Sequence, residues 1–153
     1  MSVEDRLQEL GIELPPAPPP AANYVPYMQE GSLVFVAGQV PRAADGSLPY
    51  RGKVGRELSE DEGYQAARLC ALNCLAQVKA ALGSLDRVKQ VVRIGGFVNS
   101  TEEFVNHPEV INGASDVVVE VFGERGRHAR AAIGCSALPR GVAVEVEMIV
   151  AVS

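Results

Sequence analysis

At 153 residues with a formal net charge of −5, the chain has room for one domain with a real core but not for two. Hydrophobic residues make up 47% and charged residues 22%, which excludes a disordered chain, and no apolar run reaches the roughly 18 residues that a bilayer-crossing helix needs. The acidic balance excludes a general electrostatic footprint for nucleic acid, and the start MSVEDRLQEL lacks the basic-then-apolar pattern of an export signal, so a soluble, cytoplasmic protein is expected.

Ser2 followed by Asp5 predicts a short capped helix through Leu10, ended by Gly11 and peripheral to the rest. The run Leu14 to Pro20 holds five of the ten prolines, and so predicts an extended arm laid along a surface, most simply that of its own oligomer. Residues 1–22 are therefore taken as a helix and proline-rich arm, and 23–153 as a single domain. Tyr27–Glu30 and Leu33–Ala37 flank Gly31-Ser32, the composition of a hairpin with a type II′ turn, and Arg42 to Leu58 is a long irregular loop of the kind that covers a site or reaches a neighbour. Ser59 and Glu62 have capping-box spacing, and Tyr64, Ala67, Ala71, Cys74, Leu75, Val78 and Leu82 recur at helical intervals until Gly83. Cys70 and Cys74 lie in that helix among Leu and Ala, and with Cys135 they read as reduced packing residues.

Val88 to Val98 predicts a strand with a bulge or close approach at Gly95-Gly96. Asn112 to Phe122 stays open between strand and helix: its β-branched run favours one, and its Asn/Ser/Asp start and Gly123 stop favour the other. Val142, Val144, Val146, Met148, Val150 and Val152 alternate along a final strand, with Glu145 and Glu147 among Ala and Ile on the second face. Arg130 to Ser136 reads as its antiparallel hairpin partner, and Arg130 as the nearest cation for the two acids. The elements sum to ββαβ–α–ββ, an α+β layer with helices on one sheet face and another copy of the chain against the other. Arg125, Arg127, His128, Arg130 and Arg140 form a basic cluster, which fits a solvated rim or an anion site better than an RNA surface.

Val25-Pro26-Tyr27-Met28-Gln29, Ala37-Gly38-Gln39-Val40-Pro41, Gly96-Phe97-Val98, Asn112, Ala129-Arg130, Leu138-Pro139 and Val144-Glu145-Val146-Glu147 follow one another along the chain. This ordered set resembles the Rid (YjgF-like) family of reactive-intermediate deaminases, also called the endoribonuclease L-PSP family, over about Tyr24 to Val152. The resemblance implies a chorismate-mutase-like mixed sheet with helices packed on one face, a homotrimer with three intersubunit clefts, and no cofactor or metal. In active relatives an arginine binds the carboxylate of a 2-imino acid, and water hydrolyses the imine to a 2-keto acid and ammonia. By position Arg130 matches that arginine and Glu145 the acid associated with water; Tyr27, Asn112 and Gly38 match pocket residues. Ala132 stands where many relatives carry a cysteine, and His128 where many carry proline. The proline arm, the loop around Tyr50 to Glu57 and extra residues at His107-Pro108 mark a longer branch.

The chemistry suits those residues. An arginine fork makes two charge-assisted bonds to a carboxylate, and a glutamate accepts a proton from attacking water. Blander roles stand beside these: an ion pair for Arg130, an interface network for Glu145 and Glu147, a half-buried hydrophobe for Tyr27, a helix cap for Asn112, surface or interface positions for His107 and His128. Two other functions remain open. One is a non-catalytic trimer that binds small carboxylate metabolites; the other is an endoribonuclease or translation inhibitor.

Overall fold

The computed structural model describes residues 1–19 and 22–153; Pro20 and Ala21 of the expected arm lie outside the described residues. The chain forms helix α1 (Val3–Glu9), strands β1 (Tyr27–Glu30) and β2 (Leu33–Gln39), helix α2 (Glu60–Leu82), strand β3 (Val88–Asn99), helix α3 (His107–Phe122), and strands β4 (Ala129–Cys135) and β5 (Val144–Val152). The strands make one sheet in the order β1-β2-β5-β3-β4, with β4 parallel to β3 and the other neighbours antiparallel. This is the expected mixed α+β architecture.

Local signals act as read. Ser59 Oγ accepts from Glu62 N (3.1 Å) and Glu62 Oε1 from Ser59 N (3.0 Å), completing the capping box of α2, and left-handed Gly83 ends the helix. Gly31 has φ 60 and Ser32 no positive φ, as a type II′ turn between β1 and β2 requires. Ser2 caps α1, but that helix is not peripheral: Val3 and Leu7 are core residues, and Val3 N donates to Asp86 Oδ1 at 2.7 Å. The arm runs along its own chain, where Pro15 is buried and Pro18 O accepts from Gln77 Nε2 of α2 at 2.8 Å.

The ambiguous segment is helical, and it begins earlier than its composition suggests. Asn106 is the N-cap, without a side-chain bond, and Pro108 sits in the first turn where its missing N–H costs nothing. Asn112 therefore lies within the helix and caps nothing. Val110, Ile111, Ala114, Val117, Val118, Val121 and Phe122 form a buried helical stripe, so burial overrides the β propensity of the valines. Gly113 lets α3 lie against α2, since a Cβ there would overlap the Tyr64 carbonyl.

The expected hairpin from Arg130 to Val152 does not form, because β3 lies between β4 and β5. Parallel pairing of β3 with β4 requires a crossover, and α3 supplies it. Asn99 at the end of β3 ties down the link that steps over it: its N–H donates to Ala143 O (2.8 Å) and its Nδ2 to Val142 O (3.1 Å). The expected bulge at Gly95-Gly96 is also displaced. Register there is continuous, with irregularities between Val88 and Arg93, and the glycines serve close approach: a Cβ on Gly96 would lie 2.6 Å from Ile111.

Helices α2 and α3 pack on one face of the sheet, over Val34, Val36, Val91, Ile94, Val144, Val146, Met148 and Val150. The opposite face has no helix over it among the described residues and carries Met28 (56% exposed), Phe35 (41%) and Ile133 (50%). No helix among the described residues is long and apolar enough to cross a membrane.

Candidate functional site

Arg130 is the second residue of β4, paired with buried Ile94, so its side chain leaves the sheet on the helix-covered side. There it reaches α3. Nη1 donates to Ser115 Oγ (3.1 Å) and Nη2 to Pro108 O (3.3 Å). Pro108, Asn112 and Ser115 are spaced four and three apart, so one stripe of α3 faces the guanidinium, with Asn112 between its two anchors. Ala132 follows on the same face, opposite Gly96.

A second layer holds the first. His128 Nδ1 lies 2.6 Å from Gly126 O, and a carbonyl only accepts, so Nδ1 carries the hydrogen. In the neutral ring Nε2 is then an acceptor. It lies 2.8 Å from Ser115 Oγ, so the hydroxyl donates to His128 and keeps its lone pairs for Arg130. The guanidinium is fixed by neutral groups, and among the described residues no carboxylate lies within ion-pair distance of it. Neither the ion-pair role for Arg130 nor its pairing with Glu145 and Glu147 is found within the chain. With two of five N–H groups engaged, three remain for an anion.

Glu145 projects from the other face of the sheet. It is half-buried on β5, opposite Phe97 and next to Gly38, which lies where the β2–β5 register shifts; a Cβ on Gly38 would overlap Glu145 Oε2. Burial raises its carboxyl above the ordinary carboxylate range, and the nearby Glu147 raises it further. Glu147 itself is exposed beside Gly95. Gly38 and Glu145 border a cavity of about 790 Å³, which the proline arm and the loop after β2 line. Glu147 does not border it.

Arg130, Asn112 and Ala132 thus gather at the β4 edge, and Gly38 and Glu145 beside β2, about 10 Å across two strand spacings and on opposite faces. Tyr27 joins neither group. It pairs with Val36 in edge strand β1 and packs partly against the core, while Tyr24 borders the cavity. The histidines are internally bonded rather than surface residues: His107 Nε2 lies 3.1 Å from Ser100 Oγ, and its ring meets Phe104 edge-on at 5.7 Å. The Ser115–His128 pair escaped sequence reading, although the His128-Ala129-Arg130 spacing does put the two basic side chains on one face.

Cys70 and Cys74 are packing residues. Cys70 Sγ lies 3.5 Å from Val144 O and Cys74 Sγ 3.4 Å from Val146 O, and burial pushes both well above the ordinary thiol range. Among the described residues no group of three or more His, Cys, Asp or Glu could hold a metal ion.

Residues 4–150 match a family model described as "YjgF/chorismate_mutase-like, putative endoribonuclease". The chain is 50% identical to Protein TCP17 of Trypanosoma cruzi over 149 residues, 97% of this chain and 92% of the relative. Among solved structures it is similar to protein Atu1372 of Agrobacterium tumefaciens, with 47% identity, TM-score 0.91, and 99% and 94% of the two chains covered. A Shewanella oneidensis protein called a "putative endoribonuclease" superposes with TM-score 0.96 at 38% identity, covering 99% of this chain and all of that one.

Proposed function

The chain belongs to the YjgF/chorismate-mutase-like family, and from that premise we propose that it hydrolyses reactive 2-imino acids to 2-keto acids and ammonia, in clefts shared between the copies of a homotrimer. The observation that carries this reading is Glu145: a half-buried carboxyl, raised by burial, facing a glycine in a cavity of about 790 Å³. A raised carboxyl is a better proton acceptor near neutral pH than an ordinary one, and the missing Cβ at Gly38 leaves room for it.

Arg130 holds the substrate carboxylate with its free N–H groups, which fixes C2. Water adds to C2 of the iminium while Glu145 accepts a water proton, and a C–O bond forms. The same proton returns to nitrogen; the C–N bond then breaks as Glu145 takes the hydroxyl proton, so the carbonyl forms and ammonia leaves, and that second proton passes from Glu145 to the departing ammonia. The balance is one iminium and one water in, one keto acid and one ammonium out.

Within one chain the two groups are on opposite faces, so a second copy has to complete the site. The uncovered sheet face with Met28, Phe35 and Ile133, and the edges at β1 and β4, give that copy apolar surface to bury. An assay of keto-acid and ammonia release from 2-imino acids generated in situ by an amino-acid oxidase tests the reading. Wild-type protein accelerates release above the spontaneous rate and sediments as a trimer. A folded monomer at micromolar concentration, or release at the spontaneous rate, contradicts it.

A further inference from the structure

We infer that the cavity beside Glu145 is the subsite for the substrate's side chain, and that it selects 2-imino acids with branched aliphatic or aromatic side chains over those of alanine size. This rests on the reading of Arg130 and Glu145 given above and adds what neither residue supplies, a side-chain preference. A volume of about 790 Å³ is far more than water and an imino group need, and it falls within the range of small-molecule pockets.

The walls are unevenly made. The lining draws on the arm, Pro16 to Pro19 with Tyr24, and on the loop after β2, including Ala43 and Ala44. Proline offers ring methylenes and no backbone donor, so this lining satisfies an apolar group and leaves a polar one without partners. The wall is also set in advance: Pro15 is buried, and Pro18 O is held by Gln77, itself buried in α2. A preset wall costs little ordering when a ligand enters.

Charge is confined to a few positions. Glu145 lies at one, and Arg42 and Arg140 at two others. Arg42 is tethered by Nη1 to Gly46 O at 3.0 Å. Arg140 has φ 59 and is the one non-glycine residue with positive φ among the described residues; its carbonyl accepts from Arg51 Nε at 3.1 Å. A ligand with a small charged head and an apolar body matches this distribution. Each buried methylene is worth roughly a fourfold gain in affinity.

Calorimetric binding of three 2-keto acids, pyruvate, 4-methyl-2-oxopentanoate and phenylpyruvate, reads the preference without depending on turnover. The two larger acids bind at least tenfold more tightly than pyruvate. Ala17→Trp in the arm and Ala44→Trp in the loop after β2, at exposed lining positions and therefore compatible with folding, cut that ratio at least fivefold. Equal affinity for the three acids, or a ratio that both variants leave intact, overturns the subsite while binding that depends on Arg130 keeps the reading of the clamp. Failure of all three acids to bind overturns both.

Discussion

At the β4 edge the charged group is a cation held by neutral partners, whereas beside β2 it is an acid with no hydrogen-bond partner among the described residues. Arg130 is anchored by a hydroxyl and a carbonyl of α3 and backed by His128. Glu145 is half-buried, and both causes of its shift, burial and Glu147, disfavour its charged form. The comparison separates two ways of preparing a group for chemistry. A clamp gains from a fixed orientation, which hydrogen bonds provide without neutralising it. A base gains from a raised pKa, which lost hydration provides at a cost to folding.

The largest effect is expected where the clamp itself is removed. Arg130→Ala deletes a charge-assisted pair and should weaken 2-keto acid binding by about 2–5 kcal/mol, roughly thirty- to several-thousand-fold. Arg130→Lys should restore little, because an ammonium lacks the fork. Binding by Arg130→Ala at the wild-type affinity would remove the clamp from the account.

Glu145→Gln sharpens the contrast, because it should divide activity from stability. Turnover should fall about 10²- to 10⁴-fold with a much smaller change in keto-acid affinity. A carboxyl raised in the folded state is bound to its proton more tightly there than in the unfolded chain. Its contribution to stability is therefore present below the ordinary carboxylate range and lost as pH rises through the raised value. Near neutral pH the Gln variant should melt higher than wild type, and the gap should close as pH falls through that window. An acid that served only as an interface ion-pair partner would give the opposite sign, a less stable variant at neutral pH.

Ser115→Ala should have the smallest effect of the three. It removes one bond to the guanidinium and leaves the charge, so KM or keto-acid Kd should rise about tenfold with kcat held within a few-fold. A loss confined to melting temperature, with KM unmoved, would make the Ser115–His128 pair structural only.

The same division runs through what the sequence disclosed. Features set by neighbours along the chain were legible: the Ser59–Glu62 box, the Gly31 turn, and the alternation of β5. Features set by partners distant along the chain were not. The valines of α3 pointed to a strand until burial on α2 and the sheet is counted, and the nearness of Arg130 to Val142 in sequence suggested a hairpin that the α3 crossover forbids. For the candidate site, the resemblance proposed residues, but their placement was not legible. Nothing along the chain says that Arg130 turns towards Ser115 while Glu145 turns to the other face, since a face is decided by register. Tyr27, paired with Val36, turns by register away from the cavity of its own chain, which Tyr24 borders.

The central claim is that one copy supplies Arg130 and another Glu145, and subunit mixing tests it directly. Arg130→Ala and Glu145→Gln proteins, each inactive alone, are unfolded together in equal amounts, refolded, and assayed for 2-imino acid hydrolysis. If sites are shared between copies, about a quarter of the sites pair an intact arginine with an intact acid, and about a quarter of wild-type activity returns. If trimers of mixed composition form and activity stays at the level of the single variants, the site is not shared and the account is wrong.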